Sequence, residues 1–329
     1  MTEALLKVKN LHTEFRTEGG IVKAVDDVSF EVNAGEIFAL VGESGCGKSV
    51  TALSIMGLIP NPPGEITSGS IEFDGVDLLS LPSREMRAIR GSRIGMIFQE
   101  PMSSLNPVLT IESQLAEPLK IHENLSGNVA NDRAKELIDM VGIPDSATRM
   151  KQYPHELSGG QRQRIMIAMA MACSPQLLIA DEATTALDVT IQAQILDLMQ
   201  DVTSQTGASL LIITHNLGIV ARYADRVGVM YAGKLREVSD ASDLYAEPHH
   251  PYTVGLLQSV PRLDADKGSP LSPIAGEIPD LTDLPEGCAF NPRCEWAVDK
   301  CRIEQPTLEE TKPGKQVACF EHETVALRV

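Results

Sequence analysis

The chain has 329 residues, with 28 Lys plus Arg against 45 Asp plus Glu and a formal net charge of −17, a balance that argues against nucleic acid as the main partner. Hydrophobic residues make up 43% and charged residues 22%, which excludes disorder throughout and suits about two domains. The central uncharged stretch Ile165 to Ala180 has 16 residues and holds Ser174, Pro175 and Gln176. A bilayer-spanning helix needs about 20 apolar residues, so no segment is expected to cross a membrane. The start, MTEALLKVKN, lacks the basic stretch and apolar run of a secretory signal, and the expected compartment is the cytoplasm.

Up to about residue 240, short apolar runs alternate with helical patterns. Ile37–Val41 precedes a glycine loop, Leu177–Ala180 precedes Asp181, and Leu210–Thr214 precedes His215. Apolar runs that end in polar residues read as buried parallel strands, so the expected class is α/β. Between Gln99 and Ser174 the pattern turns helical, clearest at Arg133–Val141 and Gln161–Met171. The expected organisation is one domain over residues 1–240, with a helical subdomain at about 99–174, and a second over 241–329. That tail holds 10 of the 20 prolines, the single Trp296, and four of the six cysteines.

Gly42-Glu43-Ser44-Gly45-Cys46-Gly47-Lys48-Ser49 matches G-x-x-x-x-G-K-[ST], between the apolar run Ile37–Val41 and a helical stretch from Val50 to Met56. Glycines let the backbone turn successive N–H groups toward phosphate oxygens, and the next helix adds the positive end of its dipole. Gly42, Ser44, Gly45, Cys46, Gly47, Lys48 and Ser49 are the expected nucleotide cradle, with Lys48 on the β and γ phosphates and the Ser49 hydroxyl on Mg²⁺. Cys46 reads as a small filler. A glycine-rich turn that binds nothing is the bland alternative.

Leu177–Ala180 ends in two carboxylates with different expected tasks. Asp181 is placed at the Mg²⁺, and Glu182 polarises the attacking water as general base. Alone, such a pair is more often a solvated strand end; with the phosphate loop it reads as functional. A third element, Leu157-Ser158-Gly159-Gly160-Gln161, opens a helix N-terminus, a second place built for phosphate about 110 residues from the first.

LSGGQ together with GESGCGKS and LLIADE resembles the ATP-binding subunit of an ABC transporter. The resemblance implies a P-loop NTPase fold with a RecA-like core and helical subdomain, ATP and Mg²⁺ as cofactors, and a head-to-tail dimer in which Ser158, Gly159, Gly160 and Gln161 close over the partner's ATP. It further implies that Gln99 touches Mg²⁺ and the transmembrane partner, that His215 contacts the γ phosphate, that Asp188 communicates across the dimer, and that Phe15 stacks on adenine. Phe15 as an ordinary core or surface residue stays open. Ala183 departs from the family, which usually has proline there; proline fixes φ near about −65°, so this loop is expected to be slightly looser.

Gln99-Glu100-Pro101-Met102-Ser103-Ser104-Leu105-Asn106-Pro107, Tyr153-Pro154-His155-Glu156-Leu157, Asp188-Val189-Thr190-Ile191-Gln192-Ala193-Gln194 and His250-Pro251-Tyr252-Thr253 resemble the dipeptide and oligopeptide (peptide/nickel) importer ATPases. That branch implies an ATPase powering peptide uptake, peripheral on the cytoplasmic face of the inner membrane. Its implied partners are a second related ATPase, two permeases that dock near Glu100–Thr110, and an extracytoplasmic peptide-binding protein. Two other readings are a soluble ABC-type ATPase acting on nucleic acid or ribosomes, and a non-hydrolysing ATP or redox sensor. The first expects a coiled-coil or zinc insertion between Ser49 and Ser158 and a second cassette, which the sequence lacks.

Cys288, Cys294, Cys301 and Cys319 give four thiols in a tail with little apolar material. The tail resembles the C-terminal segment of dipeptide-transporter ATPases, some of which carry a four-iron four-sulfur cluster, and the expectation is such an iron–sulfur site on these four residues. Zinc, and free or disulfide-bonded thiols, remain as alternatives; the spacing lacks the C-x2-C pairs of most zinc sites, and a reducing cytosol disfavours disulfides.

Overall fold

The computed structural model describes residues 4–99, 104–183, 189–260 and 273–327. The chain divides into two compact units, one of residues 33–36 and 80–212, the other of residues 4–32, 37–79 and 213–327.

In the second of these, strand β3 (Ile37–Val41) pairs in parallel with β9 (Arg226–Tyr231), Phe38 opposite Arg226 and Val41 opposite Val229. Phe38 to Val41 are fully buried, as a continuous apolar strand in a parallel pair requires. β9 turns back into β10 (Lys234–Asp240) through Ala232 and Gly233, both at positive φ, which suits the right-handed strand twist. β12 (Lys315–Val317) adds antiparallel to β10, and β11 (Glu309–Lys312) to β12. The segment beyond residue 240 therefore continues the sheet that carries β3. A separate antiparallel sheet runs β2 (Gly20–Asn33), β1 (Ala4–Thr17), β4 (Gly64–Phe73), β5 (Val76–Asp77).

In the other unit, β6 (Ile94–Ile97) lies parallel to β7 (Leu177–Asp181), Ile97 opposite Ala180. Beyond β7 comes β8 (Ser209–Thr214). The helical pattern is present as Ile111–His122, Gly127–Met140 and Gly159–Ala170. Buried Ala130, Ala134, Leu137 and Ile138 recur at helical spacing on one face of the second helix, opposite a charged face. Thr110 starts the first helix by accepting from the Ser113 N–H. Among the described residues, no helix is long and apolar enough to cross a membrane.

Candidate functional site

The phosphate loop leaves β3 at Gly42 and enters the helix Lys48–Ile55. Its glycines are sterically required at two points. A Cβ on Gly42 (φ +152°) would lie 2.2 Å from the Met230 carbonyl oxygen, and one on Gly47 (φ +106°) 2.2 Å from that of Ala24. Cys46 is buried, and burial pushes its thiol up; it fills the space a Gly42 side chain would take, in line with a filler. Lys48 is only 4% exposed. Its Nζ donates to the carbonyls of Gly42 at 2.8 Å and Glu43 at 3.0 Å, so the ammonium stays over the loop it serves. Ser44 and Gly45 are exposed at the loop crest, and Ser49 is half-buried in the first helical turn.

His215 follows β8, exposed, at the start of the turn that Asn216 closes by accepting from the Gly218 N–H at 2.9 Å. Phe15 sits half-buried on β1 opposite Gly64, where a Cβ would come within 2.7 Å of the ring. Two residues earlier on the same face, Thr13 hydrogen-bonds Ser54 of the phosphate-loop helix at 2.9 Å.

In the other unit, the parallel register of β6 and β7 brings Gln99 and Glu182 together just past the strand ends. Gln99 Nε2 donates to Glu182 Oε2 at 3.0 Å. Asp181 ends β7, 6% exposed, and Glu182 has φ +44°, a left-handed conformation unfavourable for this residue type and typical of functional sites. Ala183 is buried behind it. Asp188 lies outside the described residues, as do Glu100, Pro101, Met102 and Ser103 of the expected docking stretch.

The Ser158-Gly159-Gly160-Gln161 turn is a capping box. Ser158 Oγ accepts from the Gln161 N–H at 3.3 Å, and Gln161 Oε1 accepts from the Ser158 N–H at 3.1 Å. Gly159 has open space where a side chain would stand, so backbone can approach a ligand there. Sequence reasoning left the neighbouring cations without roles. Arg162 Nε donates to the Pro154 carbonyl at 2.7 Å and Arg164 Nη1 to that of Val141 at 2.6 Å, tying this helix to its surroundings.

The tail corrects an expectation. Cys288, Cys294, Cys301 and Cys319 border one cavity, but its volume is about 10 Å³, about the space of one water molecule. Among the described residues, no group of three or more His, Cys, Asp or Glu side chains is arranged to hold a metal ion. The iron–sulfur expectation, and with it zinc, is overturned: the four thiols close on a space too small for a cluster. All six cysteines are free thiols. Burial pushes Cys294 up to about 11 and Cys319 up to about 12.

Known proteins resemble the chain along its whole length. A family profile described as ABC transporter matches residues 25–185, and one described as Oligopeptide/dipeptide transporter, C-terminal region, matches residues 237–301. The dipeptide transport ATP-binding protein DppD of Bacillus subtilis (strain 168) is 55% identical over 320 residues, covering 97% of this chain and 93% of that protein. A putative peptide import ATP-binding protein of Brucella melitensis biotype 1 is 52% identical over 334 residues, covering 98% and 99%. Among solved structures, the dimeric post-hydrolysis ATP-binding cassette MJ0796 bound to ADP and Pi matches with a TM-score of 0.65 at 27% identity, covering 72% of this chain and 98% of that one. The fold is that of an ABC nucleotide-binding domain. Neither a nucleic-acid or ribosome ATPase nor a non-hydrolysing sensor finds support among these relatives. The chain thus belongs to the ABC transporter family, as an ATP-binding subunit of its oligopeptide/dipeptide transporter branch, an ATPase whose hydrolysis is coupled to transport through membrane permease partners.

Proposed function

We propose that the chain hydrolyses ATP to power uptake of di- and oligopeptides, with residues 1–240 as the ATPase domain, its helical subdomain at about 99–174, and residues 241–329 as the transporter-specific region. The observation that carries the hydrolytic reading is the hydrogen bond from Gln99 to Glu182, beside the buried Asp181 at the end of β7. Glu182 accepts the proton of the attacking water, and the Gln99 amide, donating to its Oε2, holds the carboxylate in place. Lys48 and the loop N–H groups of Gly42, Ser44, Gly45, Cys46, Gly47 and Ser49 bind the phosphates, and Phe15 stacks on the base. His215 donates to the γ phosphate.

Each side chain by its own chemistry suits a hard cation: Asp181, nearly buried, as a carboxylate, Ser49 as a hydroxyl and Gln99 as an amide oxygen. Asp181, Ser49 and Gln99 would hold Mg²⁺, which when bound neutralises charge on the phosphates. The Ser158-Gly159-Gly160-Gln161 turn contacts the ATP of a second, related ATPase subunit, and Asp188 signals between the two. The full assembly adds two permeases and an extracytoplasmic peptide-binding protein, with this chain peripheral on the cytoplasmic face of the inner membrane.

The test is Glu182→Gln in the full-length chain. Hydrolysis is expected to fall by about 10²- to 10⁴-fold while MgATP still binds. Hydrolysis within a few-fold of wild type refutes the assignment. In the reconstituted transporter, wild-type hydrolysis should rise when peptide-loaded binding protein is added; indifference to peptide refutes the cargo.

A further inference from the structure

The phosphate loop, a segment that binds anions, itself carries an acid. Glu43 directly follows Gly42, and an unpaired carboxylate there would repel the β and γ phosphates. Its carboxylate instead receives both arms of one guanidinium. Arg293 Nη1 donates to Oε2 at 2.8 Å and Nη2 to Oε1 at 3.1 Å, a bidentate pair between residues 250 positions apart.

The pair is built. The Arg293 side chain is only 4% exposed, and its donors are shared out: Nε to the Ala275 carbonyl at 3.0 Å, Nη2 also to the Ile274 carbonyl at 3.4 Å, Nη1 also to the Tyr231 hydroxyl at 3.4 Å. The guanidinium lies over the Tyr231 and Phe290 rings at 5.8 and 5.9 Å. Gly276, at φ +78°, lets the chain close over Arg293, whose Cγ would be 3.2 Å from a Cβ there. Glu43 is held through its backbone as well, its N–H donating to the buried Tyr252 hydroxyl at 2.8 Å and its carbonyl accepting from Lys48. Tyr252 and Arg293 both come from beyond residue 240.

We propose that Arg293 is a positioning residue for the nucleotide, a cation supplied by the C-terminal region that neutralises Glu43 and holds it so that the phosphate loop presents net positive charge to ATP. This rests on the reading of Gly42–Ser49 as the phosphate site. Arg293 touches no phosphate; it acts through Glu43.

An electrostatic role and a merely structural one predict different signs. Removing the cation leaves a naked acid in the loop, whereas removing the acid leaves a spare cation. In the full-length chain, Arg293→Met is expected to weaken binding of a fluorescent non-hydrolysable ATP analogue with Mg²⁺ by about tenfold and raise the KM for ATP alike, with kcat changed less than threefold. Glu43→Gln is expected to tighten binding by about threefold, and the double variant to return to within about threefold of wild type. A brace without electrostatic function gives weakening in both single variants and no recovery in the double, which overturns the proposal. If Arg293→Met does not fold, Arg293→Lys, which keeps the charge and loses the fork, decides: binding within about threefold of wild type upholds the proposal, and a tenfold loss overturns it. Lys48→Ala separates the two levels of failure. Near-normal binding in Lys48→Ala refutes the phosphate-site reading itself, whereas loss in Lys48→Ala with unaltered Arg293 and Glu43 variants refutes only the inference.

Discussion

His250 makes the fold sensitive to acid in a way that can be isolated. The residue is buried, its Nδ1 accepts from the Tyr252 N–H at 3.0 Å to cap the helix Pro251–Gln258, and its own N–H donates to the Glu237 carboxylate at 3.0 Å. An accepting Nδ1 requires a neutral ring. Burial, with the Arg236 guanidinium adding to it, holds His250 down to about 3 from 6.5. A histidine neutral in the folded state and charged in the unfolded one contributes stability that is full above 6.5 and is lost as pH falls toward 3. Between pH 8 and pH 5 the loss works out at about 2 kcal/mol, approaching about 5 kcal/mol below both values. His250→Asn keeps an acceptor for the Tyr252 N–H, as Asn216 does for Gly218 in this same chain, but cannot take up a proton. Urea unfolding of both proteins at pH 8 and pH 5 reads the difference. With a slope of about 2–3 kcal/mol/M, the wild-type midpoint should fall by about 0.7–1 M more than that of the variant. Other groups titrating in the window, such as the buried Glu237 that desolvation pushes up, are common to both proteins and cancel. Equal acid losses in the two proteins would refute a neutral buried His250.

Gly47→Ala must move the Ala24 carbonyl by most of an ångström and hold alanine at φ +106°, so a stability loss of about 2 kcal/mol or more and at least tenfold weaker MgATP binding are expected; native-like melting and nucleotide titration would contradict the steric argument. Raised to about 11 and about 12, the Cys294 and Cys319 thiols should react with iodoacetamide at pH 8 at least about 100-fold more slowly in the folded protein than in urea. Modification at the rate of a free thiol, followed by mass spectrometry of the labelled peptides, would show that the cavity does not enclose them.

The chemistry-bearing segments were legible in the sequence because each is local. An apolar run, glycines at fixed offsets and a following helix define the phosphate loop within fifteen residues from Ile37 to Thr51, and the same holds for Leu177–Glu182 and for the capping box at Ser158. Helix ends moved, Val50–Met56 to Lys48–Ile55, Arg133–Val141 to Gly127–Met140 and Gln161–Met171 to Gly159–Ala170, because periodicity does not show where a helix is capped. Tertiary structure decided what depends on distance. Four cysteines in a proline-rich tail suggested a cluster, yet spacing does not reveal the room between thiols, and packing leaves them about 10 Å³. The strands β11 and β12 are too short to alternate visibly, and β12 is placed by backbone bonds to β10 some 80 residues away. Glu43 reads in sequence as a free position of a motif, and Arg293 as one charge in an acidic tail. An ion pair leaves no periodicity behind, so only folding, by bringing positions 43 and 293 within 2.8 Å, makes them one element of the nucleotide site.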